Sequence, residues 1–318
     1  ARPLVERALD EDLDDGTDVT TVATIPAEQE SVSPLVARAD GVVAGLPVVA
    51  LVVEAVDARL GTGVVWVDLH VEDGDAVVGG DRLATLRGST RTTLIAERTI
   101  LNVLSRTSGV ATHTRRWADV LDGSGAMVLD TRKTTPGIRA LEKYAVRCGG
   151  GTNKRMGLYD VAMIKDNHKL AAGGLTAAYD SIRAAFPHID IQVEVTTTAE
   201  ALEAVAAGAR FLLCDNMSTD LLRATVDALA LAGLDDRDLL ATADGVLLVC
   251  AVPSESGVPP GVRNFFVTTP FDLAGRGADS TFTRPVALWT LDQTHSVLAH
   301  EIGHLVGMEH PYGRTRAQ

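Results

Sequence analysis

Ala162-Met163-Ile164-Lys165-Asp166-Asn167-His168 sets a short apolar run directly before four polar residues, and this pattern decides the fold class. A short apolar run of this kind reads as a buried strand, and the polar residues then stand at its carboxyl end. The same grammar recurs on both sides. Met127–Leu129 leads into Asp130-Thr131-Arg132-Lys133, Ile189–Val195 carries Glu194 at its end, and Arg210–Leu213 leads into Asp215-Asn216-Met217. Helical periodicity fills the intervals at Thr176–Phe186, Thr198–Ala207 and Thr219–Leu231, with threonine available as a cap. Such alternation predicts an α/β protein with parallel strands wrapped by helices, as a barrel or a doubly wound sheet. In either architecture chemistry gathers at the carboxyl ends of strands. Four consecutive strands ending in charge are hard to explain as packing, because a buried charge is costly unless paired or used.

Charge distribution sharpens that expectation. The chain of 318 residues has a formal net charge of -13. Yet the window 132–169 holds nine Lys/Arg against three acids, which makes it +6 and leaves -19 for the remainder. A cationic island in an acidic chain suits a small polyanion held in a focused site. Gly149-Gly150-Gly151 and Gly157 interrupt the window and let backbone N–H groups approach phosphate or carboxylate oxygens. The acidic balance and only 4% aromatic residues argue against a nucleic-acid binder. No apolar run reaches the ~18 residues that would predict a membrane span. The start Ala1-Arg2-Pro3, followed by acidic residues from Asp10 to Asp15, predicts no secretory leader. Three widely spaced cysteines, Cys148, Cys214 and Cys250, favour a reducing, cytoplasmic setting over a disulfide framework.

Residues 1–105 read as a small α/β domain. An amphipathic start (Leu4, Val5, Ala8, Leu9) precedes apolar stretches at 36–39, 42–44, 64–67 and 82–86, and residues 72–80 read as a turn. Ile95, Ile100, Leu101, Leu104 and Val110 then keep helical spacing over 95–120.

Several ordered motifs carry a family resemblance over residues 1–227. They are Ala8-Leu9-Asp10-Glu11-Asp12, Gly16 to Thr21, Gly41 to Leu46, Glu97-Arg98-Thr99, Leu101-Asn102 and Ser108 to Thr112. Asp130 to Thr134, Lys143 to Arg147 and Ile164 to His168 follow. The chain resembles the quinolinate phosphoribosyltransferases, also called nicotinate-nucleotide pyrophosphorylases. That resemblance implies an N-terminal α/β sandwich (1–105) followed by an incomplete α/β barrel (106–227), with an atypical C-terminal segment (228–318). It implies a homodimer in which Arg98 crosses the interface. The implied reaction joins quinolinate to phosphoribosyl pyrophosphate with magnesium, giving nicotinate mononucleotide, pyrophosphate and carbon dioxide.

By the same resemblance Lys133, Lys165, Glu194 and Asp215 are the catalytic residues. Arg98, Arg132, Lys154, Arg155, Lys165 and His168 bind substrate, while Glu194 and Asp215 serve the magnesium. Both substrates are polyanions, so guanidinium forks for carboxylates and lysines for phosphates are the expected side chains. Where the family usually has Asn-His-Arg, this chain has Asn153-Lys154-Arg155. Lysine keeps a cationic donor and gives up histidine's titration near neutrality.

Past residue 227 the pattern changes. The family's phosphate-binding loops find short echoes at Ser254-Glu255-Ser256-Gly257 and Thr294-His295-Ser296-Val297, which leaves retention of activity open. His300-Glu301-Ile302-Gly303-His304-Leu305-Val306-Gly307-Met308-Glu309-His310 instead resembles the HExxHxxGxxH zinc motif of the metzincin peptidases. His300 and His304 would share a helix face, His310 would complete three zinc ligands, and Glu301 would act as base. No methionine-containing turn follows it before Gln318, which weighs against a working peptidase. A zinc metallopeptidase built on a scaffold of residues 1–227 is the alternative function, and a catalytically inactive anion-binding module is a third.

Overall fold

A computed structural model of the chain describes residues 1–123, 127–229, 231–232, 247–252 and 263–266. The chain divides into two compact units. One comprises Ala1–Arg116 with Pro136–Gly150, the other Trp117–Thr135 with Gly151–Gln318.

The first unit is built on β1 (Glu30–Val36), β3 (Val65–Leu69) and β5 (Arg82–Ser89), which form an antiparallel sheet in the order β1-β5-β3. β2 (Gly41–Val42) and β4 (Ala76–Val77) make a separate antiparallel pair, with β4 inside the stretch 72–80 read as a turn. Helices α1 (Arg2–Leu13), α2 (Val19–Thr24), α3 (Pro47–Leu60) and α5 (Arg139–Cys148) belong to the unit, as does α4 (Thr90–Leu121) up to residue 116. Asp18 starts α2 by accepting the backbone N–H groups of Thr20 and Thr21 at 3.0 Å each. The Thr21 hydroxyl bond to the same carboxyl then holds its pKa below the ordinary range.

Val5 and Leu9 of α1, a run of valines from α3, and Leu83, Ala84 and Leu86 of β5 share one core. That core explains why α3 escapes a periodicity reading. Val48, Val49, Val52, Val53, Ala55 and Val56 are all buried, and the exposed side is narrow, with Glu54 as the one charged residue before Asp57. Several family-like motifs prove structural here. The Thr112 hydroxyl accepts the Val42 N–H at 2.8 Å, and the Ser108 hydroxyl accepts the Ala44 N–H at 3.1 Å. Asp73 accepts the Leu46 N–H at 3.0 Å and the Tyr144 hydroxyl at 2.6 Å. Burial, helped by that bond, pushes the Tyr144 phenol well above its ordinary pKa.

Gly88 lies on the central strand, paired with Ser31 on one side and Val65 on the other. Its φ of +133° is one that a side chain opposes, and a Cβ there would drive into the Val64 carbonyl. Gly88→Ala is therefore expected to destabilise the unit by about 2 kcal/mol or more. Its midpoint of urea unfolding, compared with the wild type, measures this.

In the second unit β6 (Val161–Ile164), β7 (Asp190–Val195), β8 (Phe211–Cys214) and β9 (Leu247–Val252) are successive parallel neighbours. β10 (Arg263–Phe266) joins β9 antiparallel, so the sheet order is β10-β9-β8-β7-β6. The connections are α6 (Asp166–Ala172) with α7 (Leu175–Ala185) after β6, α8 (Thr198–Ala206) after β7, and α9 (Thr219–Leu229) after β8. The threonine cap is realised at Thr197, whose hydroxyl accepts the Glu200 N–H at 3.2 Å. Ile164, Val193, Leu212 and Cys214 are fully buried between sheet and helices. The α/β class thus holds, with strands alternating with helices as the apolar runs imply.

One expected strand is corrected. At 127–129 there is a single parallel bridge, Leu129 to Thr152, flanked by hydrogen bonds of the two backbones. Its partner segment is a loop rather than a strand, so pairing does not propagate. Among the described residues no helix is long and apolar enough to cross a membrane.

Candidate functional site

Parallel pairing puts the carboxyl ends of β6, β7 and β8 on one edge of the sheet. Lys165 follows β6, Glu194 is the penultimate residue of β7, and Asp215 follows β8. The Asp215 N–H donates to the Val195 carbonyl at 2.8 Å, which extends the ladder just far enough to fix the Asp215 carboxyl beside Glu194.

The loop after Leu129 meets the loop after Thr152 through Asp130. One Asp130 oxygen accepts the Asn153 side-chain amide at 2.6 Å, and the other accepts the Lys154 N–H at 2.8 Å. This clamp aims Lys154 and Arg155 at the same edge. Asp160 closes the following turn by accepting the N–H groups of Met156 and Gly157 at 2.7 and 3.0 Å. Burial opposes that carboxylate's charge, but these backbone donors win and bring its pKa down.

A cavity of about 270 Å³ opens there, close to the small end of ligand pockets. Arg132, Lys133, Lys154, Arg155 and Lys165 supply five cations to its wall, against the acids Asp130, Glu194 and Asp215. Leu129, Met163, Phe211 and Leu213 supply an apolar floor, with Gln192 among them. Lys154 Nζ stands 4.8 Å from the centre of the Phe211 ring, a cation–π contact. Lys165 Nζ is 3.5 Å from Glu194 Oε2.

Burial of Arg155, followed by the repulsion of neighbouring Arg132, lowers the Arg155 pKa from its ordinary value. Glu194 and Asp215 are both raised. Burial is the largest cause in each, opposed by Lys165 at Glu194 and by Lys133 at Asp215. Burial thus opposes the charged form of the Arg155 guanidinium and of both carboxylates.

Lys169 braces this edge from behind. Its ammonium reaches Asp166 at 2.7 Å, Glu200 at 2.6 Å and the Glu194 carbonyl at 3.3 Å. Glu200 in turn accepts the Thr196 N–H at 2.7 Å. These two acids outweigh burial and raise the Lys169 pKa.

Of the residues named from sequence, Arg132, Lys133, Lys154, Arg155, Lys165, Glu194 and Asp215 come together at the cavity. His168 takes another position. Its Nδ1 accepts the Lys165 N–H at 3.0 Å across the first turn of α6, and the ring is exposed outside the lining. Arg98 is exposed on α4, in the first unit. His300, Glu301, His304 and His310 lie outside the described residues, as do the echoes at 254–257 and 294–297. Sequence reading passed over Asp130 as a site residue although its motif was in view, and it passed over Gln192. The polar residue two places before Glu194, on the same strand face, was the available signal.

The raised carboxylates give a stability prediction. A carboxyl with a raised folded pKa keeps its proton better in the native state, so native stability falls as pH rises through that window. Asp215→Asn removes this cost at neutral pH. Its Tm without ligands is expected to exceed the wild type's by on the order of 2 °C at pH 8. The difference should vanish below roughly pH 4, where the carboxyl is protonated in both states. Melting curves across that range test it.

The chain matches the model of the quinolinate phosphoribosyl transferase N-terminal domain at residues 18–108 and that of its C-terminal domain at residues 110–247. It is 44% identical over 216 residues to the carboxylating nicotinate-nucleotide pyrophosphorylase of Mycobacterium leprae, covering 68% of this chain and 75% of the relative. A probable enzyme of the same name from Bacillus subtilis is 41% identical, over 66% of this chain and 71% of that one. The crystal structure of NadC from Streptococcus pyogenes superposes with a TM-score of 0.69 at 34% identity, covering 78% of this chain and 82% of that one. The nicotinate-nucleotide pyrophosphorylase of Francisella tularensis gives 0.67 at 31% identity, with coverages of 79% and 82%.

Proposed function

The chain belongs to the quinolinate phosphoribosyltransferase family, and from that membership we infer that its two anionic substrates meet in the cavity at the ends of β6, β7 and β8. The protein is a phosphoribosyltransferase of NAD biosynthesis. It joins quinolinate to phosphoribosyl pyrophosphate and yields nicotinate mononucleotide, pyrophosphate and carbon dioxide. The zinc peptidase alternative draws on residues outside the described ones, and family membership favours the transferase over it.

The observation that carries the assignment of residues is the meeting of five cations with two strained carboxylates over an apolar floor. Arg132 and Arg155 offer forked donors to the two carboxylates of the pyridine ring, and the apolar floor receives its face. Lys133 and Lys165 take up phosphate and diphosphate oxygens as point charges. Held in this way, the ring nitrogen faces the anomeric carbon. The new N–C bond forms as the bond to the diphosphate oxygen breaks. The ring then carries positive charge at nitrogen, and the electrons of the C–C bond to the adjacent carboxylate flow into it as carbon dioxide leaves. A proton from solvent replaces the lost group on that carbon. The chain contributes positioning and preorganised charge to these events.

Magnesium fits the donor set. Among the described residues no cluster of three or more His, Cys, Asp or Glu could hold a metal ion. Magnesium is satisfied by one or two carboxylates together with substrate oxygens. Glu194 and Asp215 would hold it, and it would neutralise charge on the diphosphate when bound. Both must be ionised for this, so their raised pKa values predict an acid limb of activity above the ordinary carboxylate range.

The enzyme acts as a homodimer in the cytoplasm. The exposure of Arg98 on α4 supports its service to a second copy, and the free thiols of Cys148 and Cys214 support a reducing compartment. The test is pyrophosphate release from quinolinate and phosphoribosyl pyrophosphate by the full chain. Turnover is expected with magnesium, lost with a chelator and restored by magnesium. A folded protein that neither turns over nor binds either substrate would overturn the assignment.

A further inference from the structure

Gln192 precedes Glu194 by two positions on β7, so the pleat turns both to the cavity, and both line it. Across the sheet Gln192 is in register with Met163 on β6 and Phe211 on β8, which line the cavity too. These three form a tier beneath Lys165 and Glu194, with Asp215 one step further along, past the end of β8. Lys154 stands over the Phe211 ring. The lower tier is apolar apart from the Gln192 amide.

That amide is out of place as packing. The residue is 2% exposed, and its Nε2 is buried without a hydrogen-bond partner. A buried donor left unmade carries its full desolvation cost, and native structures rarely keep one without a use. The neighbouring methionine and phenylalanine offer it nothing better than weak contacts. What is missing is an acceptor; Gln192 lines the cavity, and a turn about its soft terminal torsion presents the N–H to an acceptor held there.

We propose that Gln192 donates its amide N–H to a carboxylate oxygen of the pyridine diacid, and so determines affinity for that substrate rather than for the phosphoribosyl donor. The tier fits a flat heteroaromatic ring, with a thioether and a phenyl ring for its faces and one neutral donor for an acceptor at its edge. Arg132 and Arg155 supply the charge for the dianion. The amide supplies direction without adding a sixth cation to a wall that already repels itself at Arg155. This inference rests on the transferase assignment above.

The test compares the wild-type full chain with Gln192→Met, which keeps length and apolar volume and removes the donor. The free variant is expected to melt at or above the wild-type temperature, because a buried unpartnered donor is gone. Its KM for quinolinate is expected to rise roughly tenfold, the worth of one hydrogen bond to a charged group. Its KM for phosphoribosyl pyrophosphate should not move. An unchanged quinolinate KM overturns the inference. So does an equal rise in both KM values with a lowered melting temperature, which marks a packing role, or a rise confined to the phosphoribosyl donor. The two levels separate cleanly. A folded wild type that fails to bind quinolinate sinks the assignment and the inference together. A wild type that turns over and is matched by Gln192→Met sinks the inference alone.

Discussion

Lys165→Ala is expected to lower kcat/KM by roughly a thousandfold, the scale seen when a preorganised charge is removed from a transition state. Folding should be barely affected. The Lys165 side chain is 52% exposed and its contact with Glu194 is 3.5 Å, so the pair contributes little to stability. The substitution acts twice on chemistry. It removes an ammonium from the wall of the cavity, and it removes the strongest influence holding the Glu194 pKa down. Burial and Asp215 then act on Glu194 without that opposition. The residual activity of Lys165→Ala should therefore show its acid limb at higher pH than the wild type. Steady-state kinetics across pH 5–9, with a urea melt as control, reads both effects. Wild-type turnover in the variant would remove Lys165 from the mechanism.

Arg155→Lys is expected to raise the KM for quinolinate by roughly 30- to 100-fold although the formal charge is kept. Arg155 is buried, and its Nε is committed to the Gly157 carbonyl at 3.0 Å. That bond fixes the plane of the guanidinium, and the remaining N–H groups meet a carboxylate as a fork. A lysine ammonium cannot hold the Gly157 carbonyl and present two parallel donors together. The upward shift of Tm that quinolinate gives the wild type should shrink in the variant at the same ligand concentration. Wild-type KM in Arg155→Lys would show that planar recognition is not used at this position.

These two residues also show what was legible in the sequence. Lys165 and Arg155 stand out because charge follows apolar runs, and parallel pairing converts that one-dimensional pattern into a shared edge. β6, β7 and β8 and the helices α7 and α8 follow the expected segments within a residue or two, whereas α6 was not among them. Where the pattern misled, neighbours decided. Residues 127–129 look like their counterparts but face a loop at Thr152, so only a bridge forms. The helix α3 is buried along nearly all its valines, and β1 includes Ser31, Ser33 and Pro34, so neither shows a clean period. His168 is a different case, a site-motif residue whose Nδ1 accepts the Lys165 N–H, a local bond that a spacing of three residues permits. Gln192 was invisible for the opposite reason. A lone amide in a strand carries no charge to mark it, and only its missing partner in three dimensions sets it apart.

The burial of Arg155 beside Arg132 reaches beyond catalysis. An anionic substrate in the cavity brings counter-charge to these guanidiniums. Filling the cavity lowers the population of opened molecules that proteases can attack. Abundance of the protein in a cell would then track the supply of its own substrates, with starvation shortening its lifetime. Binding alone would thus couple metabolite level to protein turnover, with no regulatory domain required.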